Sequence, residues 1–404
     1  MRSQQTSRVK IGIYLGGTGS DGGTYQYALS MLQALQLLPT DRYDVHAFCR
    51  TPDWEHRCAA LGVPTHSVPA YRVLARAVSW VLRALPQTGL SRTINSRVVP
   101  FGRVLKSGGF DVCIYPNYEQ FAYELDTRSI GIIYDMMHRH EPSFPEVSAG
   151  EAAQRRDHIL SRTYRGATVT LVDSEIGKQH VIDAYGGTGD SLVVMPYTVP
   201  EYIVAAPERD DDVTLADARI AVPSKYLFYP AQYWPHKNHV RLLEALARVK
   251  RTSPDVRLVL VGSPKIGHDS VLKAIRELDL DGNVTRLGYV PDEAIPALYR
   301  KARALVFACI FGPTGIPPIE AQALGCPVAA PSTYAYPEQL GDGALFFDPW
   351  SVDEIAGCIE RLWTDDALCA EMAAKGRENV RRLLPDRFAA RLAEVIELTL
   401  ERGL

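Results

Sequence analysis

VKIGIYLGGTGSDGGTYQYALSMLQALQLLPTDRYDVHAFC, residues 9–49, sets the fold class. Val9 to Leu15 is a short apolar run suited to a buried parallel strand. It ends in a glycine-rich turn from Gly16 to Thr24. Beyond the turn, Tyr27, Ala28, Met31, Leu32, Leu35 and Leu38 recur at the spacing of one buried helical stripe. Tyr43 to Cys49 is then a second strand. Strand, glycine turn, helix and strand open a βαβ unit.

The alternation continues outward from this unit. Val112 to Tyr115, Ser129 to Tyr134 and Ala167 to Val172 read as strands, and Ala152 to Arg165 and Glu175 to Tyr185 as helices. The pattern predicts a doubly wound parallel sheet, in which ligands bind beyond the carboxyl ends of the strands. Gly16 to Thr24, Asp135 to Glu141 and Ser174 therefore belong on the working rim. The pattern breaks near residues 200–222, which carry proline, an acidic run and little periodicity. Asp210, Asp211 and Asp212 read as a solvated charge run on a linker rather than a metal-binding cluster. A second series starts at Tyr226, with strands at Tyr226 to Pro230, Val256 to Val261, Val284 to Leu287 and Ala304 to Ala308. The expected organisation is α/β throughout: an N-terminal domain over 1–200, a linker over 201–222, a C-terminal domain over 223–385, and a helix over 386–404 that packs back on the body.

At 404 residues the chain is too long for one ordinary core and suits two domains. Its hydrophobic share of 46% and charged share of 23% are those of a globular protein. The net charge of -3 calls for no nucleic acid. Seven cysteines, odd in number and scattered, read as buried free thiols. The opening MRSQQTSRVK lacks the apolar stretch of a signal peptide, and no window approaches roughly 18 consecutive apolar residues. The expected location is the cytoplasm.

Two stretches carry the chemistry. In FGPTGIPPIEAQALGCPVAAP, residues 311–331, a strand end gives way to a turn with Gly312, Thr314 and Gly315. Ile316, Pro317 and Pro318 open a helix, and proline suits a first helical turn. Free N–H groups and the helix dipole at such a turn favour a phosphate. Glu320, one turn in, is placed to accept hydrogen bonds from ribose hydroxyls; the alternative is a solvated helix acid. In FYPAQYWPHKNHVRLLEAL, from Phe228, a strand end leads through Gln232 to Lys237, a point charge for a pyrophosphate or else an ordinary surface lysine.

These stretches resemble the retaining glycosyltransferases of GT-B fold, family 4 (glycosyl transferases group 1), in a branch carrying FGPTGIPPIEA. The resemblance implies two Rossmann-like doubly wound domains facing each other across a cleft. It also implies a nucleoside-diphosphate sugar as donor substrate and no further cofactor. In the family an arginine and a lysine hold the donor pyrophosphate; Lys237 matches the lysine, while Gln232 stands at the arginine position. Of the family's two glutamates, the ribose-binding one matches Glu320, and the sugar-contacting one falls on Gly312. Gly22 and Gly23 match the glycine loop that reaches the donor phosphates. IYDMMHRHEPSFPE, from Ile133, is similar to the family's turn of histidine and aspartate, with Asp135 and His138 as the implied catalytic pair. The alternative is a turn capped by Asp135 with surface histidines. Ser174 is placed to cap the helix after it.

The implied acceptor is a hydroxyl of a glycan or a lipid-linked glycan in cell-surface polysaccharide assembly. The donor base is GDP or UDP, with mannose as one sugar the resemblance implies. No acidic residue lies between Glu55 and Asp111, an interval holding Arg57, Arg72, Arg76, Arg83, Arg92, Arg97, Arg103 and Lys106 among apolar residues. Residues 71–106 thus read as a contact with an anionic membrane, on its inner face, or as a helix packed with its arginines in water. No D-x-D at a strand end suggests a metal-held pyrophosphate, so the expected transfer is metal-independent. A second functional class stays open: a nucleotide-binding homologue without activity, acting as a partner subunit. A nicotinamide-dependent oxidoreductase would need a strict G-x-G-x-x-G with an acid about 20 residues on, which this glycine loop does not supply.

Overall fold

The computed structural model describes residues 8–17, 22–68, 89–148, 150–207, 209–312 and 314–403. The chain divides into two compact units. The first comprises Met1–Met136, Gly150–Pro196 and Pro385–Leu404; the second comprises Met137–Ala149 and Tyr197–Leu384.

Among the described residues of the first unit, seven parallel strands form one sheet. They are β1 (Val9–Leu15), β2 (Tyr43–Cys49), β3 (Thr65–Ser67), β4 (Val112–Ile114), β5 (Arg128–Ile132), β6 (Val169–Val172) and β7 (Leu192–Val194), in the order β3-β2-β1-β4-β5-β6-β7. Ile11 pairs with Val45 on one side and Val112 on the other, and Ile11, Ile13 and Leu15 are fully buried. That is why β1 carries no polar side chain chosen for water from Ile11 to Leu15: helices cover both faces of a parallel sheet. The helix Gly23–Gln36 buries Tyr27, Ala28, Met31, Leu32 and Leu35, the stripe read from the sequence. The final helix, Pro385–Glu401, lies on this unit. Phe388 meets the Tyr27 ring at 5.9 Å, and the Tyr43 hydroxyl donates to Glu397 at 2.6 Å.

The second unit's sheet is also parallel, with six strands: β8 (Leu227–Pro230), β9 (Leu258–Val261), β10 (Val284–Gly288), β11 (Ala304–Val306), β12 (Val328–Pro331) and β13 (Ala344–Phe347). Their order is β10-β9-β8-β11-β12-β13. In each sheet the strand order reverses once, between β1 and β4 and between β8 and β11. A doubly wound sheet opens a crevice at that point, beyond the strands' carboxyl ends. The turns after β8 and β11 are the two stretches singled out in the sequence.

Residues 201–222, read as a linker, carry the short helices Glu201–Val204 and Asp211–Asp217. Ile203 and Leu215 are buried in the second unit's core. Asp210 caps the second helix, Asp211 pairs with Arg300 at 2.6 Å and Asp212 with Lys301 at 2.7 Å. The acidic run is thus a helix start with ion pairs, at which Asp210 and Asp212 remain exposed to water. Residues 137–149, read as part of the N-terminal domain, are counted with the second unit. All seven cysteines are buried and free, as the sequence led us to expect.

Candidate functional site

The turn after β8 is held from three sides. Asn238 is left-handed at φ 60° and is buried. Its side-chain amide donates to the carbonyls of Ala308 (3.1 Å) and Pro349 (2.7 Å), bolting the turn to the chain beyond β11 and β13. The Tyr229 hydroxyl donates to the Lys237 carbonyl at 2.7 Å, and Ile310 N–H donates to the His236 carbonyl at 2.8 Å. Gly262, at the end of β9, lets this turn pass. A β-carbon there would lie 2.2 Å from the Ala231 carbonyl oxygen, so the position takes only glycine.

Lys237 is half-buried at the crevice. Its Nζ donates to Cys309 Sγ at 3.4 Å and stands 5.7 Å from the Phe307 ring. Among the described residues no carboxylate pairs with it. A partly desolvated ammonium with only a thiol as partner is an unsatisfied charge, and it favours an anion. Gln232, the second residue of this turn, has its amide oxygen engaged by the Trp234 indole N–H at 3.0 Å. His239 is packed between the Tyr229 and Tyr233 rings; burial, with the Lys237 charge beside it, pushes its pKa down to about 3, so it is neutral filling.

The turn after β11 corrects one expectation. Gly315 N–H is already given to the Gln339 side-chain oxygen at 2.9 Å, and Gln339 Nε2 returns a hydrogen bond to the Gly315 carbonyl at 3.0 Å. Pro317 and Pro318 have no N–H. Of the residues from Gly315 to Pro318, only Ile316 retains a peptide N–H that Gln339 does not take. The helix Ile316–Ala323 therefore offers a phosphate far fewer donors than an open helix start. Thr314 is buried beside it. Gly312 is left-handed at φ 111° and contributes no side chain.

Glu320 is more enclosed than the sequence reading placed it. It is 5% exposed. Oε2 accepts the Tyr299 hydroxyl at 2.7 Å, and Oε1 accepts the Tyr202 hydroxyl. Burial pushes its carboxyl above the ordinary range, and the two phenols pull it back only in part. A carboxylate has about four acceptor directions, so two remain beyond those the tyrosines take.

In the first unit, Gly22 at φ 62° starts the helix Gly23–Gln36. Thr24, in its first turn, lines a cavity of about 430 Å³ with Tyr118, Tyr134, Asp135, Arg155 and Arg156. That volume is within the range of small-molecule sites. Arg156 NH2 donates to both oxygens of Asp135, at 2.7 and 2.8 Å, and its guanidinium lies 5.6 Å from the Tyr118 ring. Asp135 is thereby held in a fixed orientation. His138 is buried and is counted with the second unit, so the implied pair of Asp135 and His138 is divided between the two units. Ser174 caps its helix, accepting Gly177 N–H at 2.9 Å.

Several residues were not found from the sequence. Tyr202, Tyr299, Gln339 and Arg156 are ordinary residue types far along the chain from their partners. Glu119 had a signal: it follows β4, at the reversal of strand order. A β-carbon on Gly16 would lie 2.8 Å from its Oε1. Burial pushes its carboxyl up to about 7, against the pull of Arg50.

The sequence profile described as glycosyl transferases group 1 matches residues 212–379. O-antigen chain mannosyltransferase B of Escherichia coli is 27% identical over 234 residues, 57% of this chain and 61% of that protein. Serotype-specific mannosyltransferase WbdA of Escherichia coli is 23% identical over 240 residues, 58% of this chain and 28% of that protein. The chain thus aligns with less than two thirds of the length of these curated relatives. Among solved structures, the Anabaena protein HepE in complex with UDP and glucose superposes with a TM-score of 0.71 at 18% identity, covering 96% of this chain and 100% of that one. WaaG, a glycosyltransferase involved in lipopolysaccharide biosynthesis, gives 0.67 at 14%, covering 96% and 99%. Residues 212–379 match the group 1 glycosyltransferases in sequence, and the whole chain has the GT-B fold of two Rossmann-like domains.

Proposed function

We propose that this chain transfers a hexosyl group from a nucleoside-diphosphate sugar to a hydroxyl of a glycan or lipid-linked glycan, in cell-surface polysaccharide assembly. The observation that carries this reading is Lys237: an ammonium without a carboxylate partner among the described residues, at the strand-order reversal of the second unit, near the turn that leads to Glu320. In this reading Lys237 takes the charge of the diphosphate. Ile316 N–H, Thr314 and the turn at Gly312 and Gly315 line the phosphate, Gln232 adds a neutral amide, and Glu320 binds the ribose. Gly22 and Gly23 stand at the positions that the resemblance gives to donor-phosphate contacts. Stabilising the leaving diphosphate with fixed protein charges needs no metal. Retention of configuration is part of the proposal. The mannosyltransferases among the relatives support mannose as the sugar, carried on GDP or UDP in this proposal. Raised melting temperature with one nucleoside diphosphate, and release of that diphosphate from its sugar, test the reading.

The acceptor side of the proposal is the cavity of the first unit, where Asp135 orients the attacking hydroxyl. Asp135→Asn keeps the shape but not the charge. It is expected to lower turnover about 10²-fold, with nucleoside-diphosphate affinity unchanged. Equal loss of turnover and diphosphate affinity in the two assays would remove Asp135 from this role.

The membrane contact is the last part. Residues 69–88 lie outside those described, so the proposal stands on the flank that is described. There Leu90 is 72% exposed, Ile94 is exposed beside it, and Arg97, Arg103 and Lys106 are exposed with no acid among them. Among the described residues no helix is long and apolar enough to cross a membrane. The chain is expected to co-sediment with vesicles containing anionic lipid at low salt and to release at high salt. No sedimentation at low salt would refute the contact.

A further inference from the structure

Residues 137–149 leave β5 of the first unit and are counted with the second. Three contacts hold them there. Glu141 Oε1 accepts the Tyr334 hydroxyl at 2.6 Å. The Phe144 ring lies 5.3 Å from Phe311 and 6.2 Å from Trp350. Glu146 Oε1 accepts two hydrogens from His236, from the backbone N–H at 3.0 Å and from ring Nδ1 at 2.7 Å. A carboxylate can only accept, so Nδ1 carries its hydrogen. The His236 ring stacks on Phe311, with centroids 4.2 Å apart and planes 15° from parallel.

This arrangement leaves one oxygen over. The Glu146 side chain is only 6% exposed, and its buried Oε2 has no hydrogen-bond partner among the described residues. The carboxyl does not escape by taking a proton. Burial pushes it up, but the hydrogen bonds from His236, together with the pull of its own backbone N–H, prevail and hold it below the ordinary range. A buried anionic oxygen without a donor is costly, and it marks a place where a donor belongs. The place is specific. His236 directly precedes Lys237, and Phe311 directly precedes Gly312, so Glu146 is fastened to the turn of Lys237 and, through the His236 ring on Phe311, to the neighbourhood of Gly312. Gly312 gives its own turn no side chain to meet a sugar.

We infer that Glu146 Oε2 accepts a hydrogen bond from a hydroxyl of the sugar being transferred, so that the segment after β5 completes the donor site. This rests on the donor site proposed above. A sugar hydroxyl is the fitting partner because it brings the missing hydrogen into a site whose positive charge, Lys237, is reserved for the diphosphate.

Glu146→Gln tests it. The amide oxygen can still accept from His236, while the NH2 replaces Oε2 with a donor. Paired probes separate the sugar from the diphosphate: GDP with GDP-mannose, and UDP with UDP-glucose, in calorimetric titration and in turnover. The expected result is bare diphosphate affinity within threefold of wild type, sugar-nucleotide affinity lowered at least tenfold, and turnover lowered at least fiftyfold. Glu146→Asp, which keeps the charge but withdraws it by one methylene, is expected to show the same split. Unchanged melting temperatures exclude a folding defect. Equal losses for diphosphate and sugar nucleotide would show that Glu146 acts only through His236. No loss in either would show that Oε2 holds nothing but water. Both results overturn the inference. If the wild-type chain binds neither diphosphate, the donor site itself is refuted, and this inference falls with it.

Discussion

Lys237→Ala is expected to lower turnover by about 10²–10³-fold and to weaken nucleoside-diphosphate binding, while leaving the melting temperature of the free chain nearly unchanged. The size follows from the loss of one charge aimed at a developing anion in a partly desolvated site. The small effect on stability follows from its surroundings. Lys237 pairs with no carboxylate among the described residues, so no buried partner is stranded. What is lost is the thiol contact to Cys309 and the packing of the stem near Phe307, worth about 1 kcal/mol. Lys237→Arg is expected to recover little. The guanidinium is longer and planar, and it does not reproduce the compact point charge that Lys237 places beside Cys309. Calorimetric titration with the nucleoside diphosphate, beside a melting curve, checks both halves. A variant that melts much lower than wild type, or binds diphosphate equally well, would show Lys237 to be a packing residue.

Glu320→Ala is expected to have the opposite balance, losing stability as well as nucleotide. Its two oxygens are the acceptors for the Tyr202 and Tyr299 hydroxyls, and Tyr299 is fully buried. Removing them leaves phenols without partners and a hole beside them, at about 2–4 kcal/mol. Loss of the ribose contact adds about a hundredfold in nucleotide affinity, from hydrogen bonds to a charged group. Glu320→Gln separates the two effects, because its amide oxygen still accepts from one phenol and its NH2 donates to the other. The pH dependence has a definite sign. The folded carboxyl lies above its ordinary value of 4.5, mainly through burial. The stability contribution is therefore fully present below about 4.5 and is lost as pH rises through the raised folded value. The nucleotide-free wild-type chain should lose stability over that window, and Glu320→Gln should not. Melting curves across that range, for both chains, give the answer. A parallel pH dependence in the two would mean that Glu320 is not held as described.

Much of the fold was legible because long apolar runs and helical stripes are local. β1 and β2 have the limits read for them, and the glycine turn and the stripe of Gly23–Gln36 followed directly. β3 with THS, β7 with LVV and β13 with ALFF, all at sheet edges, were not read as strands; β3 is exposed at every residue and shows no apolar run. The run at 201–222 was misleading for another reason. Its acidic run and proline draw the eye from Ile203 and Leu215, and only the core they enter reveals them. The site shows the same division. Lys237 and Glu320 stand at strand ends and helix starts, where local rules apply. What surrounds them does not: Tyr202 is 118 positions from Glu320, and Gln339 is 24 from Gly315. The expectation of open N–H groups at Gly315 followed the local rule for helix starts and met a side chain from elsewhere.

The central claim is that the second unit binds a nucleoside-diphosphate sugar at Lys237 and Glu320. Its most direct test is a thermal-shift screen of GDP, UDP, ADP and dTDP with their sugars, run on the wild-type chain, Lys237→Ala and Glu320→Gln. The account predicts that one base raises the wild-type melting temperature well above the rest. It also predicts that the sugar nucleotide of that base is turned over and that both variants lose the shift. No shift from any nucleotide in the wild-type chain would contradict it, and a shift that persists in both variants would place the nucleotide elsewhere.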